Sequence, residues 1–325
     1  MTDTAEAGTF AMRTGRFLGR YPVVTLILLL IALIGLLQII SPGIVNERWL
    51  GNTVKFAIPL AMLAACQTMT MYTGGIDLSA GVAATISAFV MATQVPVLGV
   101  PGAIGIAMVP AVMIGVLNGI GIGICRVHPL IMTLGSGLIG TGVLLVYQRT
   151  VIATGSVVPL SLQWLGTGRT WGFPNALVLF VPFAALIIWA QGRSGFGRLL
   201  YALGSNERAA RLSGVRFWQV TIALYSLSGL VAGLTGLVYV GLIKAPSLSL
   251  AEPLLLPAVA AAVIGGTSIF GGRGSYAGTI LGALILTVLN TLLTMLQMPE
   301  GARRIFFGAV ILAVTAVYVR LTDQG

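Results

Sequence analysis

An all-α, polytopic transmembrane bundle of about ten spans is the fold this sequence predicts, and three observations predict it. Of 325 residues, 57% are hydrophobic and 8% charged, against roughly 25% charged in a soluble domain, and the mean hydropathy is +1.00. No water-soluble fold of this length hides so much apolar surface, so the solvent is lipid. Lipid leaves every backbone polar group to be satisfied within the protein, which admits helices or closed barrels. The apolar runs here are long and continuous, unlike the short alternating segments of barrel strands. The third observation is that the charges lie mostly between the runs and favour one set of connections.

In chain order, residues 1–20 form a mostly polar tail with Arg13, Arg16 and Arg20. The run that follows, Tyr21–Ser41, is too long for a signal-peptide core, and no small-residue cleavage site follows it. It reads as a first span with the N-terminus in the cytoplasm. A span needs roughly 20 apolar residues. Further candidates are Thr53–Tyr72, Leu78–Val97, Ala103–Cys125, Pro129–Tyr147, Asn175–Gln191, Trp218–Ile243, Leu254–Ile269, Tyr276–Leu296 and Ile305–Val319. Gly and Pro interrupt or flank the third, fourth and eighth, and some of these three are expected to be short, tilted or broken. The transmembrane domain thus covers residues 21–320, and residues 321–325 form a cytoplasmic tail.

With the N-terminus inside, eleven of the 18 basic residues fall on the cytoplasmic side, six on the outer side, and Lys55 within a span. This is the bias of the positive-inside rule. It accounts for the net charge of +10 better than nucleic-acid binding does, because no dense basic stripe with interleaved aromatics exists. Two connections are long. Gln148–Pro174, on the outer side, carries Trp164 and Trp171, which suit a membrane–water interface. Gly192–Phe217, on the inner side, is the most charged stretch in the chain. The pairs Gly115/Gly119, Gly229/Gly233 and Gly278/Gly282 repeat the four-residue spacing that brings helices together.

Several chemistries are absent. The two lysines, Lys55 and Lys244, sit in no phosphate-binding loop, so this chain does not hydrolyse ATP by itself. Cys66, Cys125 and the single His128 form no disulfide framework and no metal-ligand cluster, so no cofactor or metal is expected. His128 and Ser136 could form an intramembrane protease dyad; an interfacial His before Pro129 is the plainer reading. Gly119, Gly121 and Gly123 have the spacing of a dinucleotide fingerprint, but outside a βαβ unit they form a packing surface.

Three features carry information. In the inner connection, Ser205 or Asn206 can cap a helix, Gly214 can end it, and Glu207 and Arg211 stand i, i+4 in the favourable order. A helix of about two turns is marginal alone in water, so it is either a solvated connector or a docking helix with Ala209, Ala210 and Leu212 as its small apolar face. Asp77, in Gly74-Gly75-Ile76-Asp77-Leu78-Ser79, lies between two apolar runs and can cap the helix that follows. The alternative role is a substrate or ion-coupling carboxylate. The Gly density of Gly265-Gly266-Thr267-Ser268 and Gly271-Gly272-Arg273-Gly274 implies irregular backbone that protein or water must cover. Gly74–Gly81 and Gly271–Gly278 share four positions, a weak hint of an internal repeat. Asn118 and Asn290, inside apolar runs, need polar partners, and interhelical bonds are expected for them.

These blocks resemble, in order, those of the permease subunits of ribose-, xylose-, arabinose- and galactose-type ABC importers. The Gly-Gly-Ile-Asp-Leu-Ser core is the first. Leu117-Asn118-Gly119 with Pro129–Gly135 is similar to the second, Gly197–Gly214 to the cytoplasmic coupling segment, and Gly265–Gly274 to the late Gly-rich block. The resemblance is collinear from about Asn52 to the last span. Cys66-Gln67 and Val127–Leu130 depart from the family pattern, which leaves the sugar open.

The resemblance implies the membrane-spanning subunit of an inner-membrane importer for a monosaccharide. It implies a second permease copy or a related one, two ATP-binding cassette subunits or one tandem fusion, and a periplasmic sugar-binding protein. Gly204, Ser205, Asn206, Glu207, Arg208, Ala209, Ala210, Arg211, Ser213 and Gly214 would couple to the ATPase, with Glu207 and Arg208 in contact. Gly74, Gly75, Asp77, Ser79, Asn118, Gly265, Gly266, Gly271 and Gly272 would be structural or pathway positions. An ion-coupled secondary transporter would need a carboxylate buried in a span, and Asp77 and Glu252 sit at span ends. A passive channel would not need the charged inner helix.

Overall fold

The computed structural model describes residues 22–151 and 155–299, together with 301–303, 305–306, 308–309 and 312. The helices are α1 (Pro22–Ile40), α2 (Glu47–Met71), α3 (Ala80–Gly123), α4 (Pro129–Val151), α5 (Leu160–Thr167), α6 (Ala176–Arg193), α7 (Gly195–Ser205), α8 (Glu207–Leu212), α9 (Phe217–Ile243), α10 (Glu252–Ile264) and α11 (Tyr276–Met295). Two two-residue strands, β1 (Arg169–Thr170) and β2 (Phe173–Pro174), pair antiparallel between α5 and α6. Among the described residues, seven helices are long and apolar enough to cross a membrane. We call the end bearing α7 and α8 the lower end, and that bearing α5 and the hairpin the upper end.

α3 contains 44 residues, about 66 Å if straight, roughly twice the hydrocarbon core. It is not straight. Gly99 adopts φ 67, ψ 176, a left-handed backbone that favours glycine, and the chain reverses there. Ala88, Met91 and Ala92 of the first arm then pack with Ala103 and Ala107 of the second. The expected third and fourth spans are therefore one helical hairpin with almost no loop.

The eighth candidate, Leu254–Ile269, is one of the short ones, and it stops before Ile269. α10 has only 13 residues, about 20 Å, because the backbone breaks at Gly265 and Gly266 although the apolar composition runs on to Ile269. The second span begins earlier than expected. Asn46 accepts from the Trp49 N–H and starts α2 at Glu47, so Lys55 lies two turns inside and donates to the Thr167 carbonyl at 2.7 Å. The upper connection carries α5 and the hairpin, with Trp171 95% exposed. Most of the tenth expected span, Ile305–Val319, lies outside the described residues.

α2 and α9 form the buried centre. Helices in lipid gain nothing by hiding leucine from leucine, so they associate through close backbone packing. The glycine spacing does this work. A Cβ at Gly115, Gly119 or Gly229 would overlap Tyr225, Ile222 or Ala111, and one at Gly236 would overlap the Ala84 carbonyl, so α9 lies against both arms of α3. Gly278 and Gly282 likewise seat α11 on Gly265 and Ala261 at the end of α10. Leu138, Ile139, Val143 and Val146 on α4 are exposed and form an apolar face on the outside of the bundle.

Candidate functional site

The sequence blocks converge at the lower end. α7 ends at Ser205, Asn206 breaks the helix at φ −161, ψ 98, and α8 begins at Glu207. The short helix expected between a cap at Ser205 or Asn206 and Gly214 is α8, with Asn206 in the capping role, its Oδ1 accepting from the Ala209 N–H at 2.9 Å; α7 is a further helix ahead of it. Ser205 is not a cap. Ser213 and Gly214, with φ 87, end α8.

Of the three expected apolar positions, Ala210 turns inward, Ala209 is exposed and Leu212 is 84% exposed. Arg208 is exposed. Glu207 forms a salt bridge at 3.0 Å with Arg126, which precedes α4, and pairs with Arg211 one turn on. Both arginines stack on Phe217 at the start of α9. The carboxylate expected to meet a partner is therefore also a strut within the chain, and Arg126 is a member of the site that the sequence did not single out.

α7 connects this helix to the core. A Cβ at Gly204 would overlap the Tyr72 carbonyl at the end of α2. That carbonyl accepts from the Gly272 N–H at 3.0 Å. Gly271 and Gly272 have φ 92 and 72, a backbone that favours glycine. Tyr201 donates to the Gly274 carbonyl at 2.8 Å and stacks on Tyr72 with ring centroids 4.6 Å apart. Gly74, in turn, would place a Cβ 3.5 Å from the Phe270 carbonyl. Three glycine-bearing blocks far apart in sequence thus meet around one peptide group.

Above them lies a polar node. Asp77 is 1% exposed. Its carboxylate accepts from the Ser79 hydroxyl at 2.6 Å, the Ser79 N–H at 3.0 Å and the Ser228 hydroxyl at 2.6 Å. Gln67 clamps its backbone, donating to the Asp77 carbonyl at 2.7 Å and accepting from its N–H at 3.2 Å. Asn118 donates to Ser79 at 2.8 Å. Thr133 accepts from the Leu78 N–H and donates to the Ile76 carbonyl, both at 3.1 Å. Asp77 sits over the start of α3, as a capping role requires, although Ser79 occupies the N-cap position itself. Among the described residues the only ion pairs are those of Glu207, so hydroxyl and amide donors alone support this carboxylate. Gly75 leaves room for the Tyr225 hydroxyl beside the node.

A cavity of about 330 Å³ opens between the strut and the node, lined by Thr73, Gly74, Arg126, His128, Glu207 and Tyr225 among others. His128 accepts from the Leu130 N–H, while Ser136 donates to the Thr133 carbonyl, so no His–Ser dyad forms. Asn290 bonds Arg303 rather than a neighbouring span. Among the described residues no cluster of three metal-ligating side chains exists.

Residues 49–315 match the family described as branched-chain amino acid transport system / permease component. The ribose import permease protein of Escherichia coli strain K12 is 34% identical over 292 residues, covering 89% of this chain and 91% of that protein. The ribose import permease protein of Bacillus subtilis strain 168 is 32% identical, covering 92% and 90%. The fructose import permease protein of Rhizobium meliloti is 28% identical, covering 96% and 89%. No solved structure gives a significant match.

Proposed function

This chain belongs to the branched-chain amino acid transport system / permease component family, and on that premise we propose that it is the membrane-spanning subunit of an ATP-driven importer for a monosaccharide. The relatives' activities, ribose and fructose import, suggest a pentose or hexose as cargo. The chain is a multi-pass protein of the inner membrane, with the lower end in the cytoplasm.

The observation that carries the mechanism is the convergence on the Tyr72 carbonyl. α8 presents Ala209, Leu212 and Arg208 to an ATP-binding cassette subunit. A two-turn helix with a nearly bare leucine is marginal in water and gains stability when a partner covers it. Its displacement passes through Gly204 to the ends of α2 and to the Gly-rich turn before α11, because those contacts are backbone to backbone and leave no side chain to absorb the motion. The Glu207–Arg126 pair passes the same displacement to α3 and α4. ATP hydrolysis takes place on the separate ATPase, a second permease copy completes the pathway, and a periplasmic binding protein delivers sugar to the upper end.

The test is co-expression with a cognate ATP-binding cassette subunit and reconstitution into vesicles. Wild type is expected to capture the ATPase and to take up sugar only with ATP and the loaded binding protein. Leu212→Glu is expected to abolish both while leaving the purified chain folded. Uptake driven by an ion gradient without any ATPase sinks the proposal.

A further inference from the structure

Between α9 and α10 the chain runs without helix from Lys244 to Ala251. Two contacts fix its depth. The Ala251 N–H donates to Thr85 Oγ1 at 3.1 Å, and Thr85 lies ~20 Å along the first arm of α3 from the turn at Gly99. Ala84, beside it, meets Gly236, which lies ~10 Å below the upper end of α9. By both gauges Ala251 and Glu252 lie inside a hydrocarbon core about 30 Å thick. α10 therefore starts within the bilayer, next to the start of α3. A Cβ at Gly81 would lie 3.4 Å from the Ala251 carbonyl and 3.5 Å from Leu255.

Within this segment burial alternates. Leu248 is half-buried and Leu250 buried, whereas Ser247, Ser249 and Glu252 are exposed. The N–H groups of residues 247 to 250 form no backbone hydrogen bond among the described residues, and the Ser247, Ser249 and Glu252 side chains have no partner there. Lipid cannot satisfy such groups; irregular backbone at membrane depth is tolerated only where protein buries it or water reaches it. The first-turn position of Glu252 suits the helix dipole, and its exposure leaves both carboxylate oxygens available.

We propose that the segment from Pro246 to Pro253 is the wall of the solute route at mid-membrane, and that Ser247, Ser249 and Glu252 present hydrogen-bonding groups to the hydroxyls of the passing sugar. Two hydroxyls and a carboxylate suit a neutral polyol. The identity of the solute rests on the importer reading; the aqueous wall does not.

Single cysteines at positions 247, 248, 249 and 250 test the proposal in membranes holding the assembled importer. The background is Cys125→Ser, since Cys66 is buried. A membrane-impermeant methanethiosulfonate reagent is added to either face. A thiol reacts as its thiolate, which forms in water and not in lipid. Ser247→Cys and Ser249→Cys are expected to react about 10-fold or more faster than Leu248→Cys, Leu250→Cys and the lipid-facing control Ile139→Cys. Labelling at Ser249→Cys is expected to abolish ATP-driven uptake, and Glu252→Gln to lower it with ATPase capture intact. Reaction of Ser247→Cys and Ser249→Cys no faster than Ile139→Cys overturns the proposal, whether lipid or a second copy covers them. So does full uptake after labelling. If unlabelled protein takes up no sugar, the importer reading fails, and the labelling pattern alone decides whether the wall is aqueous.

Discussion

At Asp77 a carboxylate draws hydroxyl donors from two parts of the chain: Ser79 at the start of α3, and Ser228 halfway along α9. Deleting one donor leaves a buried carboxyl oxygen without its partner. Ser228→Ala is therefore expected to destabilise the protein by about 1–3 kcal/mol, read as a lower Tm in detergent, with Ser228→Thr retaining most of the stability. The sequence marked Asp77, since a lone acid between apolar runs stands out, and it suggested the capping position. Gln67 and Ser228 were not legible as its partners. A glutamine or serine inside an apolar run announces only that it needs a hydrogen bond, and the partner is chosen by which helices meet.

For single elements, local chemistry was readable wherever a local requirement set it. Asn206 caps α8 because its Oδ1 reaches an N–H three residues on, a geometry that spacing alone specifies. Asn206→Ala is expected to cost about 0.5–2 kcal/mol of local helix stability. Hydrogen exchange should register this in α8 while protection in α9 stays unchanged, and Asn206→Ser should restore it. The paired glycines were equally readable, because four-residue spacing puts them on one helix face. What escaped was the residue at which α10 stops, and the Arg126 strut. Apolar residues continue past Gly265, so hydropathy alone cannot see the backbone stop. Arg126 and Glu207 stand 81 residues apart, so no local spacing joins them.

For the whole molecule, the charge bias and the helix count make a statement about sidedness. A reporter enzyme active only outside the cytoplasm is expected to work when fused at Gly172 in the β1–β2 turn and to be silent when fused at Gly214 after α8. The opposite pattern would invert the assignment of the lower end. The turn at Gly99 makes this arrangement vulnerable in a way that stability measurements would miss. Each crossing reverses the compartment in which the next connection is made, so the parity of crossings, not their packing, decides where α8 is delivered during synthesis. Gly99 supplies one reversal with almost no loop. A residue that keeps α3 running straight there would subtract one crossing, and every later segment would be inserted in mirror orientation, leaving a well-formed α8 facing a compartment that holds no ATP.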